Sequence, residues 1–289
     1  MLALFGVNPM PGNRLELAWK TLQECSMPGG LAEPDARRRI SEAIHAVFQA
    51  VTIIEGHRHD LYHGGGRDRP PLFTGWQLLQ LVDGALPMAS RGDRPADHRF
   101  ECFIGALLRM SALSVTRAEP DWRILYRNDE AIGVAVKRLN SPTVEAALRL
   151  IKKGAGQLRR QGLRGLVVLN IEGLVQGIPT NTDVDTFRDA FNGRLEGLHD
   201  SLDRLVRYPE LVAVMFTGII SGWVTPEDRP ATFHFSHPVQ VIGFSDLEPS
   251  EHFDEFFRHG LMPRMNNAMT RVTDLVGPRW LSRTANLCL

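Results

Sequence analysis

Residues 120–171 read PDWRILYRNDEAIGVAVKRLNSPTVEAALRLIKKGAGQLRRQGLRGLVVLNI, and the fold follows from the way their apolar positions change period. Trp122 to Tyr126 and Ile132 to Leu139 predict two strands, with Arg127, Asn128, Asp129 and Glu130 as the polar hairpin between them. Side chains alternate along the second strand, so Gly133, Ala135 and Lys137 point to one face and Val134, Val136 and Arg138 to the other. Ser141 suits a helix N-cap, Pro142 the first helical position and Glu145 the first turn. Val144, Ala147, Leu148, Ile151, Ala155 and Leu158 then recur at helical spacing, which predicts a helix over 142–161 with one apolar stripe. Its expected buried face holds Leu148, Ile151 and Leu158, and its wet face Lys152, Arg159 and Arg160. Leu166 to Leu169, continued by Ile171, has the unbroken apolar character of a strand covered on both sides.

Working outward, Phe100, Phe103, Ile104, Leu107, Leu108 and Met110 mark an amphipathic helix that carries Glu101, and Leu113 to Arg117 predicts a short strand. Residues 97–171 are thus expected to run helix, three-strand meander, helix, strand. A helical crossover makes the last strand parallel to a strand of the meander. Downstream, Val184 to Arg207 predicts a helix, Leu211 to Val224 and Ala231 to Phe244 strands, and Glu251 to Leu275 a helix. Upstream, Pro34 and Asp35 open a helix with Ile40, Ile44, Val47 and Val51 at helical spacing, and a short helix is expected from Trp76 to Leu81. The turn-rich stretch Pro87 to Asp97 separates an N-terminal helical region, 1–96, from an α/β domain, 97–289.

Composition excludes little: hydrophobic residues are 43% of the chain, and 33 lysines and arginines balance 33 acids. Distribution says more. Residues 105–165 hold twelve basic side chains against five acidic ones, net +7, which leaves the remainder at net −7. A basic segment in a neutral chain reads as a phosphate-binding surface or as a solvated helix face. Cys25, Cys102 and Cys288 form no CxxC pair, which fits a reducing, cytoplasmic setting. No apolar run reaches the length of a membrane span, so no membrane partner is expected. A homo-oligomer is compatible with the sequence.

Glu101 on a helix, Pro120-Asp121 before a strand, Ala135-Val136-Lys137-Arg138 on the next, and Gln157 on the following helix together resemble the PD-(D/E)xK nuclease superfamily. The resemblance covers about 75 residues and implies a restriction-endonuclease-like α-β-β-β-α-β core. It also implies a metal-dependent phosphodiester hydrolase acting on DNA with Mg2+. Hydrolysis of a phosphodiester needs cations to neutralise the transition state and a positioned water, which carboxylate-held magnesium and a lysine can supply. Carried over, Asp121 is a metal ligand, Val136 lends its carbonyl, Lys137 is the catalytic lysine, and Glu101 and Gln157 support, with Glu101 a further metal ligand. Arg138, Lys152 and Arg159 are the expected nucleic-acid contacts.

One position departs from the pattern. The second acid belongs at 135, where this chain has alanine, so either Glu101 or Glu145 compensates or the fold has become a nucleic-acid-binding or protein-interaction module. The remaining motifs are weaker. His57-Arg58-His59-Asp60-Leu61-Tyr62-His63, with His234 and His237, has the ligand types of a transition-metal site but also those of a solvated loop. Gly64 to Gly66 is not followed by lysine and serine, and no Gly-x-Ser-x-Gly elbow occurs, so the phosphate-loop and α/β-hydrolase classes are not indicated.

Overall fold

The computed structural model describes residues 12–25, 34–57, 94–111, 113–125, 131–141, 143–175, 184–202, 208–224, 232–236, 239–243 and 256–285. The expected short helix at 76–81, the hairpin at 127–130, the glycine triplet, and residues 58–63 and 237 lie outside them. The chain divides into two compact units: Met1–Ala106 with Ser221–His234 and Thr270–Leu289, and Leu107–Ile220 with Phe235–Met269. Among the described residues, no helix is long and apolar enough to cross a membrane.

The second unit is a mixed α/β layer. Strands β1 (Val115–Ala118), β2 (Asp121–Leu125) and β3 (Ala131–Arg138) form an antiparallel meander. Helix α4 (Val144–Arg160) crosses over to β4 (Gly165–Asn170), which pairs with β3 in parallel, as the crossover requires. Helix α5 (Val184–Leu202) then leads to β5 (Leu211–Thr217), again parallel, and β8 (Val239–Gly243) closes the edge antiparallel to β5. The six strands lie in the order β1-β2-β3-β4-β5-β8. The two long strands expected at 211–224 and 231–244 are each two strands: Gly218 and Ile219 interrupt the first, and residues 232–236 and 239–243 are separate strands in the second. The pieces β6 (Ile220–Val224) and β7 (Thr232–Ser236) pair separately.

One face of this sheet packs on α4 and α5. Ala135, Val167, Leu169, Val214 and Phe216 from the strands meet Ile151, Ala155 and Leu158 of α4 and Leu198 and Leu202 of α5 in one cluster. Each large side chain fully buried there contributes on the order of 1.5–3 kcal/mol. Leu148, expected in the core, is half-buried at its margin, and the fully buried α4 set is Ala147, Ile151, Gly154, Ala155 and Leu158. Lys152, Arg159 and Arg160 are exposed, as the stripe demands.

Helix α4 begins later than the Ser141 reading. Its N-cap is Thr143, whose hydroxyl accepts from Ala146 N at 3.3 Å, while Ser141 Oγ lies 3.3 Å from Thr143 Oγ1. The helix ends in a Schellman arrangement, with Leu163 N donating to Leu158 O and Gly162 N to Arg159 O. Gly162 takes the left-handed conformation this needs, φ +60°. Beyond it, Gly165 is forced by contact: a Cβ there would stand 1.9 Å from Gly133 O on β3.

In the first unit, α1 (Arg14–Cys25) lies against α2 (Pro34–Gly56) through Ala18, Leu22, Ile40, Ala43 and Ala46. Polar groups are buried beside this seam, among them Arg14, whose Nη1 donates to Gln49 Oε1 at 3.0 Å. Burial first, then the Arg14 and Arg99 charges, lower the His45 pKa from 6.5 to about 3. Between those values the unfolded chain binds a proton that the folded chain refuses. Stability is therefore full above about pH 6.5 and falls as pH drops through that window, by about 2 kcal/mol at pH 5. Urea unfolding at pH 7 and pH 5 is expected to show this loss, and His45→Gln to flatten it. A slope unchanged in that variant would assign the dependence to other groups.

His57, the first residue of the histidine-rich stretch, is not part of a solvated loop. It terminates α2, is fully buried, and places Nε2 3.0 Å from Cys102 O. Helix α3 (Arg94–Met110) carries Cys102 and, in the same unit, Glu101.

Candidate functional site

Asp121 opens β2, and β2 pairs with β3 in the register Trp122↔Val134. One further step of that register sets Asp121 across from Ala135, so Asp121, Ala135 and Lys137 share the face that α4 covers. The strand starts too late to offer Val136 N a backbone acceptor, and the Asp121 carboxylate takes that place, with Oδ2 accepting from Val136 N at 2.7 Å. The same oxygen accepts from Lys137 Nζ at 3.1 Å, and Nζ also donates to Val136 O at 2.6 Å. Both side chains are largely sequestered, Lys137 at 10% and Asp121 at 13% exposure. The sequence-assigned trio Asp121, Val136 and Lys137 is thus brought together.

Gln157 lies on α4, the helix that packs on the Ala135 face of the sheet. Arg123 Nη2 of β2 donates to Gln161 Oε1 at 3.3 Å, which fixes the side of α4 that looks toward β2. Gln157 lies one turn before Gln161 and Asp121 two strand residues before Arg123, steps of about 5.4 and 6.6 Å in the same direction. By these steps Gln157 comes level with Asp121 along the helix axis; its Oε1 is buried with no hydrogen-bond partner.

Glu101 and Glu145 are the acids named as substitutes for position 135. Glu101 is in the first unit, with Oε2 3.7 Å from His98 Nδ1. Glu145 is exposed on α4, about 120° around the helix from Gln157. Ala135 is fully buried in the α4 cluster, and the Cβ position of Gly154 stands 3.4 Å from its methyl group.

Magnesium asks for octahedral oxygen ligands with one or two carboxylates among them. In this arrangement the implied donors do not fit it: Asp121 Oδ2 and Val136 O both already hold the Lys137 ammonium, and the pair is formally neutral. Among the described residues no group of three or more histidine, cysteine or acidic side chains gathers. A lysine ammonium takes the position between carboxylate and carbonyl that the resemblance gives to a cation.

The three cations assigned to nucleic acid do not share one surface. Lys152 and Arg159 are exposed on the outward side of α4, Arg159 with Nε 3.9 Å from Glu210 Oε1. Arg138 follows Lys137 on β3 and so faces the other side of the sheet, in register with Asn170. Arg149, Lys153 and Arg160 instead join Lys152 and Arg159, all exposed, with Glu145 in the first turn as the helix's one acid. Their helical spacing, readable in the sequence, is the signal that groups them. A further buried carboxylate carries no sequence signal: Glu172, just past β4, accepts from Ile219 N at 2.9 Å and ties that strand end to the end of β5.

No protein-family model matches the chain, and no curated protein or solved structure is significantly similar to it.

Proposed function

We propose that the chain carries a restriction-endonuclease-like core that binds nucleic acid, duplex DNA foremost, without cleaving it. The observation that carries this reading is the Lys137 ammonium, seated on both Asp121 Oδ2 and Val136 O. A group holding those two oxygens neutralises them where cleavage would need them for a metal. Binding is left to charge. Helix α4 presents Arg149, Lys152, Lys153, Arg159 and Arg160 outward, and a phosphate backbone is the polyanion such a row attracts.

Labelled duplex DNA and RNA titrated with the full chain test the reading. Binding at micromolar level is expected, with log affinity falling against log salt by about 0.9 for each phosphate neutralised on duplex DNA. Lys152→Glu with Lys153→Glu should weaken binding at least tenfold and lower the salt slope by about two. Incubation with magnesium or manganese should leave the nucleic acid intact. Cleavage that disappears in Lys137→Ala would replace this reading with an active metal-dependent endonuclease. Affinity unchanged by the two charge reversals would remove nucleic acid as the α4 partner and leave a protein-interaction module.

A further inference from the structure

Gly156 stands in the interior of α4 without a structural reason among the described residues. Glycine inside a helix costs backbone entropy that alanine does not. Gly154, two residues before, is explained by packing, because a Cβ there would lie 2.7 Å from Val167 Cγ2. A Cβ on Gly156 would meet only Arg160 Nη1, at 3.9 Å, the far end of a flexible side chain. The helix is regular through this point, so no left-handed conformation calls for glycine either.

This notch is centred in the cations. At about 100° per residue, Arg149, Lys152, Lys153, Arg159 and Arg160 all fall within about 60° of the direction Gly156 faces. Lys152 and Lys153 precede it and Arg159 and Arg160 follow it by about 5 Å along the axis. Two cationic rungs therefore flank a strip of bare helix backbone.

We propose that Gly156 is the crossing point of a nucleic-acid backbone on α4, with phosphates on either side held by the two rungs. The missing side chain lets the strand approach the helix closely, which shortens every charge separation and strengthens the attraction. The inference rests on the nucleic-acid reading above. A phospholipid surface fits less well, because a helix that lies in a membrane interface inserts an apolar face beside its charged one. The apolar face of α4 is packed on the sheet.

Fluorescence anisotropy with a labelled 20-base-pair duplex, run on the native chain, Gly156→Ala, Gly156→Leu and the Lys152→Glu/Lys153→Glu variant, separates the outcomes. Gly156→Ala is expected to raise the melting midpoint by about 2–4 °C and yet weaken binding about three- to tenfold, with leucine weakening it further. Native affinity in both glycine variants, with loss in the double charge reversal, would overturn the role of Gly156 and leave the nucleic-acid reading standing. Native affinity in the charge reversal would overturn both. A lowered midpoint in Gly156→Ala would show that the fold needs the glycine, against the proposal. Preference for phosphatidylserine vesicles or polyglutamate over the duplex, titrated alongside, would assign the face to another partner and overturn it as well.

Discussion

Lys137→Ala is expected to lower the unfolding free energy by about 3–5 kcal/mol and to remove no measurable cleavage. The ammonium is the shared partner of Asp121 Oδ2 and Val136 O, and neither side chain is more than 13% exposed. Its removal leaves an anion and a carbonyl in a place that water reaches poorly, and the full desolvation cost of both is then uncompensated. Val136 N still donates to Asp121 Oδ2, which softens the loss without replacing a charge. Asp121→Asn combined with Lys137→Met should recover most of the stability, since an amide can keep the Val136 N contact and the methionine stem fills the lysine's volume. Urea unfolding of the native, single and double variants measures the coupling. A single variant within about 1 kcal/mol of native that has lost a magnesium-dependent cleavage activity would show instead that Lys137 is kept for catalysis.

The elements around the site are legible in the sequence because each has one dominant local cause. Alternation marks β2 and β3, an unbroken apolar run marks β4, and the stripe on α4 marks both its buried and its wet side. Boundaries are less legible where neighbouring residues compete for the same position. Ser141, Pro142 and Thr143 all favour a helix start, and Thr143 takes the cap because its hydroxyl reaches Ala146 N. A single strand is predicted over 211–224 because apolar, strand-forming residues continue on both sides of Thr217 and Gly218. Next to it, however, the Glu172 carboxylate takes the Ile219 N–H, a contact between residues 47 positions apart. His57 misleads for the same reason. Its neighbours in sequence are polar, but its position at the end of α2 is set by the carbonyl of Cys102, 45 residues away. Within the site, the convergence of Asp121, Val136 and Lys137 follows from strand alternation, whereas the seating of the ammonium on the other two groups depends on side-chain geometry that no spacing encodes. The surface assigned to Arg138, Lys152 and Arg159 mixes two sides of the sheet, because it does not carry the parity of β3 across to the helix above it.

Ala135→Glu, the substitution that restores the acid of the motif, is expected to destabilise the chain by about 3–5 kcal/mol without creating a magnesium site. Ala135 has no exposed surface, and its methyl group lies under the bare backbone of Gly154, among Ile151, Ala155, Leu158 and Val167. Gly154 can come that close because it has no side chain, so helix and strand are mutually fitted around a methyl group. A glutamate there must either push α4 outward or send its carboxyl toward β2. On that side it meets the Asp121 carboxylate, an acceptor. Burial would raise the pKa of the new carboxyl. A folded-state pKa above the unfolded value means that its protonated form is tolerated and its ionised form is not. The penalty relative to native should then shrink below about pH 4.3 and reach its full size near neutrality, with the steric part remaining throughout. Urea unfolding at pH 4 and pH 7, with magnesium titrated into the folded variant by calorimetry, reads both parts. A variant as stable as the native chain that takes up magnesium would mean that α4 yields easily at Gly154, and that the site lacks only a carboxylate to be a nuclease centre.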